Sequence, residues 1–387
     1  SDLFNDEDLY GLMTNLAGHD MESLEIGFSK YINSDKPTCF ICYTVKGFGL
    51  PLAGHKDNHS GIMNNDQFDE YTKLMNIRKG QEWNKTEGIK LNDNELSSIV
   101  ASNPLSKCNR EFSETVPIKQ LQKITFNAFI STQEAFGKIM NEIGKVNNSF
   151  TKRIITTSPD VTVSTSLGGW VNKKNIFSTY KKNDVFGEKK VFSSQKWKYL
   201  PSGQHIELGI AENNLFLLLA SLGISDKLFG KRILPVGTIY DTFIGRGLDA
   251  LNYATYIDAR FILVGTPSGV TLSHEGGAHQ SILTPNIGIS QPNLIYYEPS
   301  YADELEFLFF WGLEYMQTKE GSSIYFRLST KKLIQPERKL SKKDKQDIIK
   351  GCYWLHKPKT SNPIILICTD RKSTRLNSSH RCISYAV

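Results

Sequence analysis

Cysteine is scarce in this sequence, with six in 387 residues, and the six fall into no pattern. Cys39, Cys42, Cys108, Cys352, Cys368 and Cys382 lack the paired spacings of a disulfide framework or a structural zinc site, which excludes both. Cys39 and Cys42 have redox-like spacing, but they lie in the apolar run FICYTV and read as two buried strand cysteines. Long apolar runs are also missing. No stretch reaches the roughly eighteen residues that a membrane helix requires. The N-terminal residues SDLFNDEDLYGLMTN are acidic and lack the basic-then-apolar order of a secretory signal. There is no GxGxxG, no P-loop and no metal-ligand spacing of histidines, cysteines or carboxylates. Together these absences predict a soluble, cytoplasmic protein.

Excess charge of one sign is lacking as well. The formal net charge is +6, and Arg371, Lys372, Arg375 and Arg381 less Asp370 contribute +3 of it. Those residues belong to DRKSTRLNSSHRCISYAV, residues 370–387, where strand periodicity stops and nothing replaces it. The string resembles the translation of a widely used sequencing-library adapter and is set aside from the fold. The remainder is nearly balanced, so neither a nucleic-acid partner nor a membrane surface is expected.

What the chain does contain is organised in four blocks. Residues 1–65 hold an amphipathic helix over 20–32, a strand over 37–45 and a Gly/His-rich loop over 46–63, half of an α/β unit. Residues 66–120 are charged and without period-2 alternation, which suits a helical, solvated linker. Residues 121–335 alternate strand and helix: IITTSP, GIAENNLFLLLASLGI, RILPVGTIY, FIGRGLDALNYATYI, ARFILVGTPS, NLIYYEPS, ADELEFLFFWGLEYM, SSIYFRLS. This order predicts an α/β fold with a largely parallel sheet covered by helices. Residues 341–369 begin a further unit with the strand NPIILICT.

Ligands of such sheets sit beyond the carboxyl ends of the strands, and several polar groups gather there. Asp160 follows IITTSP; Tyr240, Asp241 and Phe243 follow RILPVG; His274, Glu275 and His279 lie in the Gly-rich loop SHEGGAHQS after RFILVG. Glu212, in IELGIAENN, opens a helix that reads as buried almost all round. A carboxylate in such a place complements the positive end of the helix dipole. Burial also disfavours its charge, so an unpaired Glu212 should have a raised pKa, as acid–base chemistry requires.

These stretches resemble one family. GIAEN resembles the catalytic-glutamate motif of thiamine diphosphate enzymes of the transketolase and 2-oxo acid dehydrogenase group. HEGGAHQS resembles the histidine loop of their pyrimidine-binding domain, and TVKGFGLPLAGHKDNHSG the end of their diphosphate-binding domain. KGCYWLHKPKTSNPIILICT resembles the start of their C-terminal domain. The likeness is strongest to the homodimeric first, decarboxylating component of pyruvate dehydrogenase. It implies residues 1–65 as the end of a diphosphate domain, 121–335 as the pyrimidine domain and 341–369 as the start of a third.

The resemblance also assigns roles. In this family a carboxyl group hydrogen-bonded to the cofactor's pyrimidine drives that ring into the form that deprotonates the thiazolium carbon. Glu212 matches that group, Phe243 the ring's stacking partner, with Tyr240 in reserve and Asp160 beside the cofactor. His279 and His59 match the imidazoles that orient substrate or acyl acceptor, and His274 and Glu275 the substrate loop. Implied partners are a second copy of the chain, a lipoyl-bearing acyltransferase and a 2-oxo acid such as pyruvate. Magnesium is implied too, but the family's Gly-Asp-Gly motif does not occur here, so the chain is expected to be a piece of a longer enzyme, inactive alone. Transketolase remains the second expectation, because Arg327 stands where those enzymes keep a phosphate-binding arginine. Against it, Glu275-Gly-Gly-Ala-His279 lacks their hydroxyl-reading aspartate.

Overall fold

The computed structural model describes residues 5, 9, 17–103, 106, 115–118, 124–183, 185–272 and 275–354. His274, NPIILICT and the adapter-like residues 370–387 lie outside them. The chain forms two compact units, residues 1–107 and 108–387, with the boundary inside the segment read as a linker.

In the first unit the helices are α1 (Met21–Tyr31), α2 (Asn65–Leu74) and α3 (Asp93–Ser102). Local chemistry sets their starts. Asp20 caps α1 by accepting from the Ser23 amide, and Asn64 and Asn92 open α2 and α3 with reciprocal capping boxes. None of the described residues of this unit is buried. The strand expected over 37–45 does not form; only an isolated bridge joins Ala17 to Tyr43. A strand needs a neighbour to take its backbone hydrogen bonds, and β-favouring residues alone do not supply one. Cys39 and Cys42 are accordingly exposed, which corrects their reading as buried strand residues.

The second unit is built on an eight-stranded sheet. In chain order it contains β1 (Phe129–Ile130), α4 (Thr132–Lys145), β2 (Ile154–Ser158), α5 (Gly168–Lys174), β3 (Ile176–Phe177), β4 (Tyr199–Leu200) and β5 (His205–Glu207). There follow α6 (Glu212–Gly223), β6 (Leu234–Ile239), α7 (Leu248–Tyr256), β7 (Ile262–Gly265), α8 (Thr284–Ser290), β8 (Leu294–Tyr297), α9 (Ala302–Tyr315), β9 (Ser323–Arg327), β10 (Leu333–Ile334) and α10 (Lys342–Ile349). The strand order is β4-β3-β5-β2-β6-β7-β9-β8, with every pairing parallel, while β1 and β10 form a separate antiparallel pair.

Helices cover both faces, and successive strand residues show it. On β7, Ile262 and Val264 join a cluster with Phe136, Ile139, Trp170 and Phe309 of α4, α5 and α9. Leu263, and Phe261 just before the strand, join Leu215, Phe216 and Leu219 of α6 and Leu251 of α7. Side chains alternate across a strand, so a run apolar at every position requires cover on both sides. Each fully buried Leu, Ile or Phe adds about 1.5–3 kcal/mol of hydrophobic stabilisation. Gly237 lets α6 lie directly on β6, since a Cβ there would come within 2.7 Å of Leu219.

Candidate active site

Three neighbouring strands, β5, β2 and β6, end at one edge of the sheet, and the residues that follow them form a pocket of about 200 Å³. After β2, Pro159, Asp160 and Val161 line it; after β5, Ile210 and Glu212; after β6, Tyr240, Phe243 and Arg246. Glu212, Asp160, Tyr240 and Phe243, read separately from the sequence, therefore meet.

Glu212 is placed by backbone geometry. Gly209, at φ +67°, makes the left-handed turn between β5 and α6, a conformation that disfavours side chains. Ala211 precedes the helix without a side-chain cap, so Glu212 in the first turn is the acidic group nearest its positive end. Its residue is buried, but the expectation that α6 is buried all round does not hold: Leu217 is 48% exposed and the packed face is 215, 216, 219, 220 and 223. Nor is the carboxylate unpaired. Arg246 Nη1 donates to Glu212 Oε1 at 2.7 Å, and the guanidinium carbon lies 3.8 Å from the Phe243 ring centroid. One planar, N–H-bearing group thus stacks on Phe243 and bonds to Glu212 at once. A flat aminopyrimidine would use the same face and the same oxygen, so these residues fit such a ring.

Asp160 takes a left-handed backbone conformation, φ +61°, which Asp tolerates better than most residues. Its amide donates to Glu207 Oε1 at 2.8 Å. Glu207 also accepts from Thr162 at 2.6 Å, and His205, fully buried on β5, bonds Thr156 and Thr162 at 2.8 and 3.0 Å. Burial works against the Glu207 charge, but the bonds from His205, Thr162 and the Asp160 amide outweigh it and hold the carboxyl below its usual range.

His279 ends a short 3-10 turn, Gly277–His279, and its ring packs against Tyr240 at 5.5 Å and Phe243 at 6.0 Å. Its Nδ1 is buried and has no partner among the described residues. Glu275 is exposed in the same loop. His59 belongs to the first unit, where Lys46 Nζ lies 2.7 Å from its Nδ1. That unit has a pocket of about 170 Å³ lined by Phe28, Phe40 and Tyr43, with no carboxylate or imidazole in its wall.

Arg327 requires correction. Its side chain is 4% exposed, and all its donor nitrogens are engaged: Nε with Asp241 at 3.0 Å, Nη1 with Glu298 at 3.0 Å, Nη2 with the Ser281 carbonyl at 3.0 Å. Burial opposes its charge, but Asp241 and Glu298 more than offset that and its pKa is raised. It is a structural cation behind the pocket, with no donor left for a substrate phosphate. Sequence reasoning placed Asp241 at a strand end without a role and did not single out Arg246. Arg246 lies 34 positions from its partner Glu212, so no local spacing pointed to the pair.

Among the described residues no group of three or more His, Cys, Asp or Glu side chains is placed to hold a metal ion. No helix of the described residues is long and apolar enough to cross a membrane.

Comparison with known proteins agrees with this fold. Residues 124–333 match the family described as the pyruvate dehydrogenase E1 component middle domain. The pyruvate dehydrogenase E1 component of Pseudomonas aeruginosa is 24% identical over 377 residues, covering 92% of this chain and 42% of that protein. Transketolase-like protein 2 of Mus musculus is 25% identical over 291 residues, covering 75% of this chain and 38% of that one. The chain thus spans about two fifths of the length of the curated relatives it matches. A transketolase crystal structure from Campylobacter jejuni superposes with a TM-score of 0.55 at 15% identity, over 83% of this chain and 46% of that one, which shows a shared fold. A family match over more than half of the sequence, on a transketolase-like parallel sheet, establishes that the chain belongs to the pyruvate dehydrogenase E1 component middle-domain family.

Proposed function

We propose that the protein of which this chain is part is a thiamine diphosphate-dependent enzyme that oxidatively decarboxylates a 2-oxo acid, pyruvate first among them. The observation that carries the reading is Glu212, buried at a helix start, with the Phe243 face beside its carboxylate. When bound, thiamine diphosphate supplies a nucleophilic thiazolium carbon and takes up the electron pair released as carbon dioxide leaves. Glu212 would hydrogen-bond the pyrimidine nitrogen and share its proton, and Phe243, with Tyr240 next to it, would carry the ring. Asp160 borders the same pocket. His279, with its unpartnered Nδ1, would orient the substrate, with His274 and Glu275 in the same loop. His59 would act on substrate or acyl acceptor. The two electrons and the acetyl group would pass to lipoamide on an acyltransferase component, and the working form would be a dimer.

Transfer of two-carbon units between sugar phosphates is the second reading, supported by the transketolase-like relative and fold. It loses the support of Arg327, whose donors are occupied. The test uses the whole enzyme with thiamine diphosphate and magnesium. It measures carbon dioxide release from pyruvate with an artificial electron acceptor, beside ketol transfer from xylulose 5-phosphate to ribose 5-phosphate. Pyruvate turnover without ketol transfer is expected. A site built for a sugar hydroxyl discriminates by about 10⁴-fold or more against ligands lacking it, so ketol transfer with negligible pyruvate turnover would reverse the assignment. Glu212→Ala should slow exchange of the thiazolium proton, followed by NMR, by about 10²–10⁴-fold. Wild-type exchange in that variant would remove Glu212 from the chemistry.

A further inference from the structure

Behind the aromatic wall lies a polar cluster that the proposed chemistry does not use. Asp241 is fully buried and accepts four hydrogen bonds: from the hydroxyls of Ser281 and Tyr325, from Thr284 Oγ1 at 2.6 Å, and from Arg327 Nε at 3.0 Å. That number saturates a carboxylate. Arg327 then reaches Glu298 with one terminal nitrogen and the Ser281 carbonyl with the other. A sealed ion pair is a poor way to gain stability, because apolar residues of the same volume often do as well or better. What the pair does supply is position.

Connectivity shows what is positioned. Asp241 stands between Tyr240 and Phe243, the two rings against which His279 packs. Ser281, its hydroxyl partner, is two residues after His279. Between them Thr242 Oγ1 donates to the Gln280 carbonyl at 3.1 Å. Residues 240–243 and 279–281 are thereby zipped together by side-chain bonds, and the His279 ring is brought to the wall with its Nδ1 buried and unpartnered. Buried polar atoms without partners are rare in folded proteins, and holding one in place needs an external constraint.

We propose that Asp241, charge-balanced by Arg327, is the positioning residue of this site, and that it sets the His279 imidazole against Tyr240 and Phe243 through Ser281. The proposal rests on the reading of this wall and His279 as cofactor and substrate contacts. It makes Arg327 a counterion to a structural carboxylate, where a ligand contact had been expected.

Two variants separate positioning from general loosening. Ser281→Ala cuts the tie between Asp241 and the histidine loop but leaves the Asp241–Arg327 pair. Tyr325→Phe removes another hydroxyl from the same carboxylate, on β9, outside the histidine loop. The readout is the imidazole nitrogen resonances of His279 in the full chain, assigned with His279→Gln among the eight histidines. Ser281→Ala should displace them, Tyr325→Phe should not, and Ser281→Thr, which keeps the hydroxyl, should restore them. In the whole enzyme Ser281→Ala should lower kcat by up to about 10²-fold, the scale of an ångström of misplacement, with thiamine diphosphate affinity kept. Unmoved His279 resonances in Ser281→Ala, or equal displacement in both variants, would overturn the proposal. Should Ser281→Ala not fold, Ser281→Cys, which fills the same volume with a weaker donor, is judged by the same resonances. Loss of the functional reading has a different signature: wild-type protein that does not bind thiamine diphosphate while the resonances behave as expected.

Discussion

At the mouth of the pocket Glu212 meets Arg246 at 2.7 Å, and 54% of the arginine side chain is in solvent. Behind the wall Asp241 meets Arg327 at 3.0 Å, and neither side chain is more than 4% exposed. The chemistry of the two pairs is the same and their consequences differ. An arginine half in water keeps much of its hydration and gives up its partner at little cost, so the mouth is exchangeable. A sealed arginine is fixed between two carboxylates, Asp241 and Glu298, and removing Asp241 breaks a buried pair that water cannot replace. The site therefore combines a yielding pair where a ligand would arrive with an unyielding pair that holds the wall.

The largest expected effect tests the sealed pair. Asp241→Ala should lower the unfolding free energy by about 3–5 kcal/mol, the cost of breaking a buried pair by removing one partner, as measured by urea denaturation of the full chain. A loss below about 1 kcal/mol, the range of exposed pairs, would erase the distinction drawn here.

Glu207 lies between the two extremes, with a quarter of its side chain exposed. Burial penalises its charge, but its hydrogen bonds lower its pKa in the folded protein below the unfolded value. The stability it contributes is thus present above the unfolded carboxylate pKa, about 4.3, and is lost as pH falls through the lower folded value. Unfolding curves between neutral and acid pH should fall less steeply for Glu207→Gln than for the wild type. An unchanged acid limb would mean that His205, Thr162 and the Asp160 amide do not stabilise its ionised form.

The smallest effect on stability is expected at the mouth. Arg246→Ala should lower the unfolding free energy by about 1–3 kcal/mol, the cost of leaving the buried Glu212 carboxylate without its partner. It should nevertheless tighten thiamine diphosphate binding measured by calorimetry, because the guanidinium now stacked on Phe243 and bonded to Glu212 takes the volume a pyrimidine would need. Weaker binding in the variant would show that Arg246 supports the ligand, which would make the mouth as fixed as the wall.

Much of the second unit was legible from side-chain type alone. ARFILVG is apolar at nearly every position and SSIYFRLS at its centre, IYF, and β7 and β9 are buried on both faces, as such runs demand. The same criterion misjudged FICYTV, because apolarity states that a segment wants cover without saying that a neighbour exists. The two-residue strands β3 and β4 escaped notice for the opposite reason: they carry too few residues for any period to show.

By itself the sequence determined the αβ alternation, the strand ends from which polar residues project, and a carboxylate at the first turn of α6, since all follow from local periodicity and turn chemistry. It also placed Glu212, Asp160, Tyr240 and Phe243 among the candidates that the sheet then gathered into one pocket. Only the tertiary structure decided who pairs with whom. Glu212 with Arg246 and Asp241 with Arg327 span 34 and 86 residues, and no spacing rule reaches that far. Burial decided the rest: the same guanidinium group is an exchangeable plug where water reaches it and a permanent counterion where water does not, and exposure is a property of the fold.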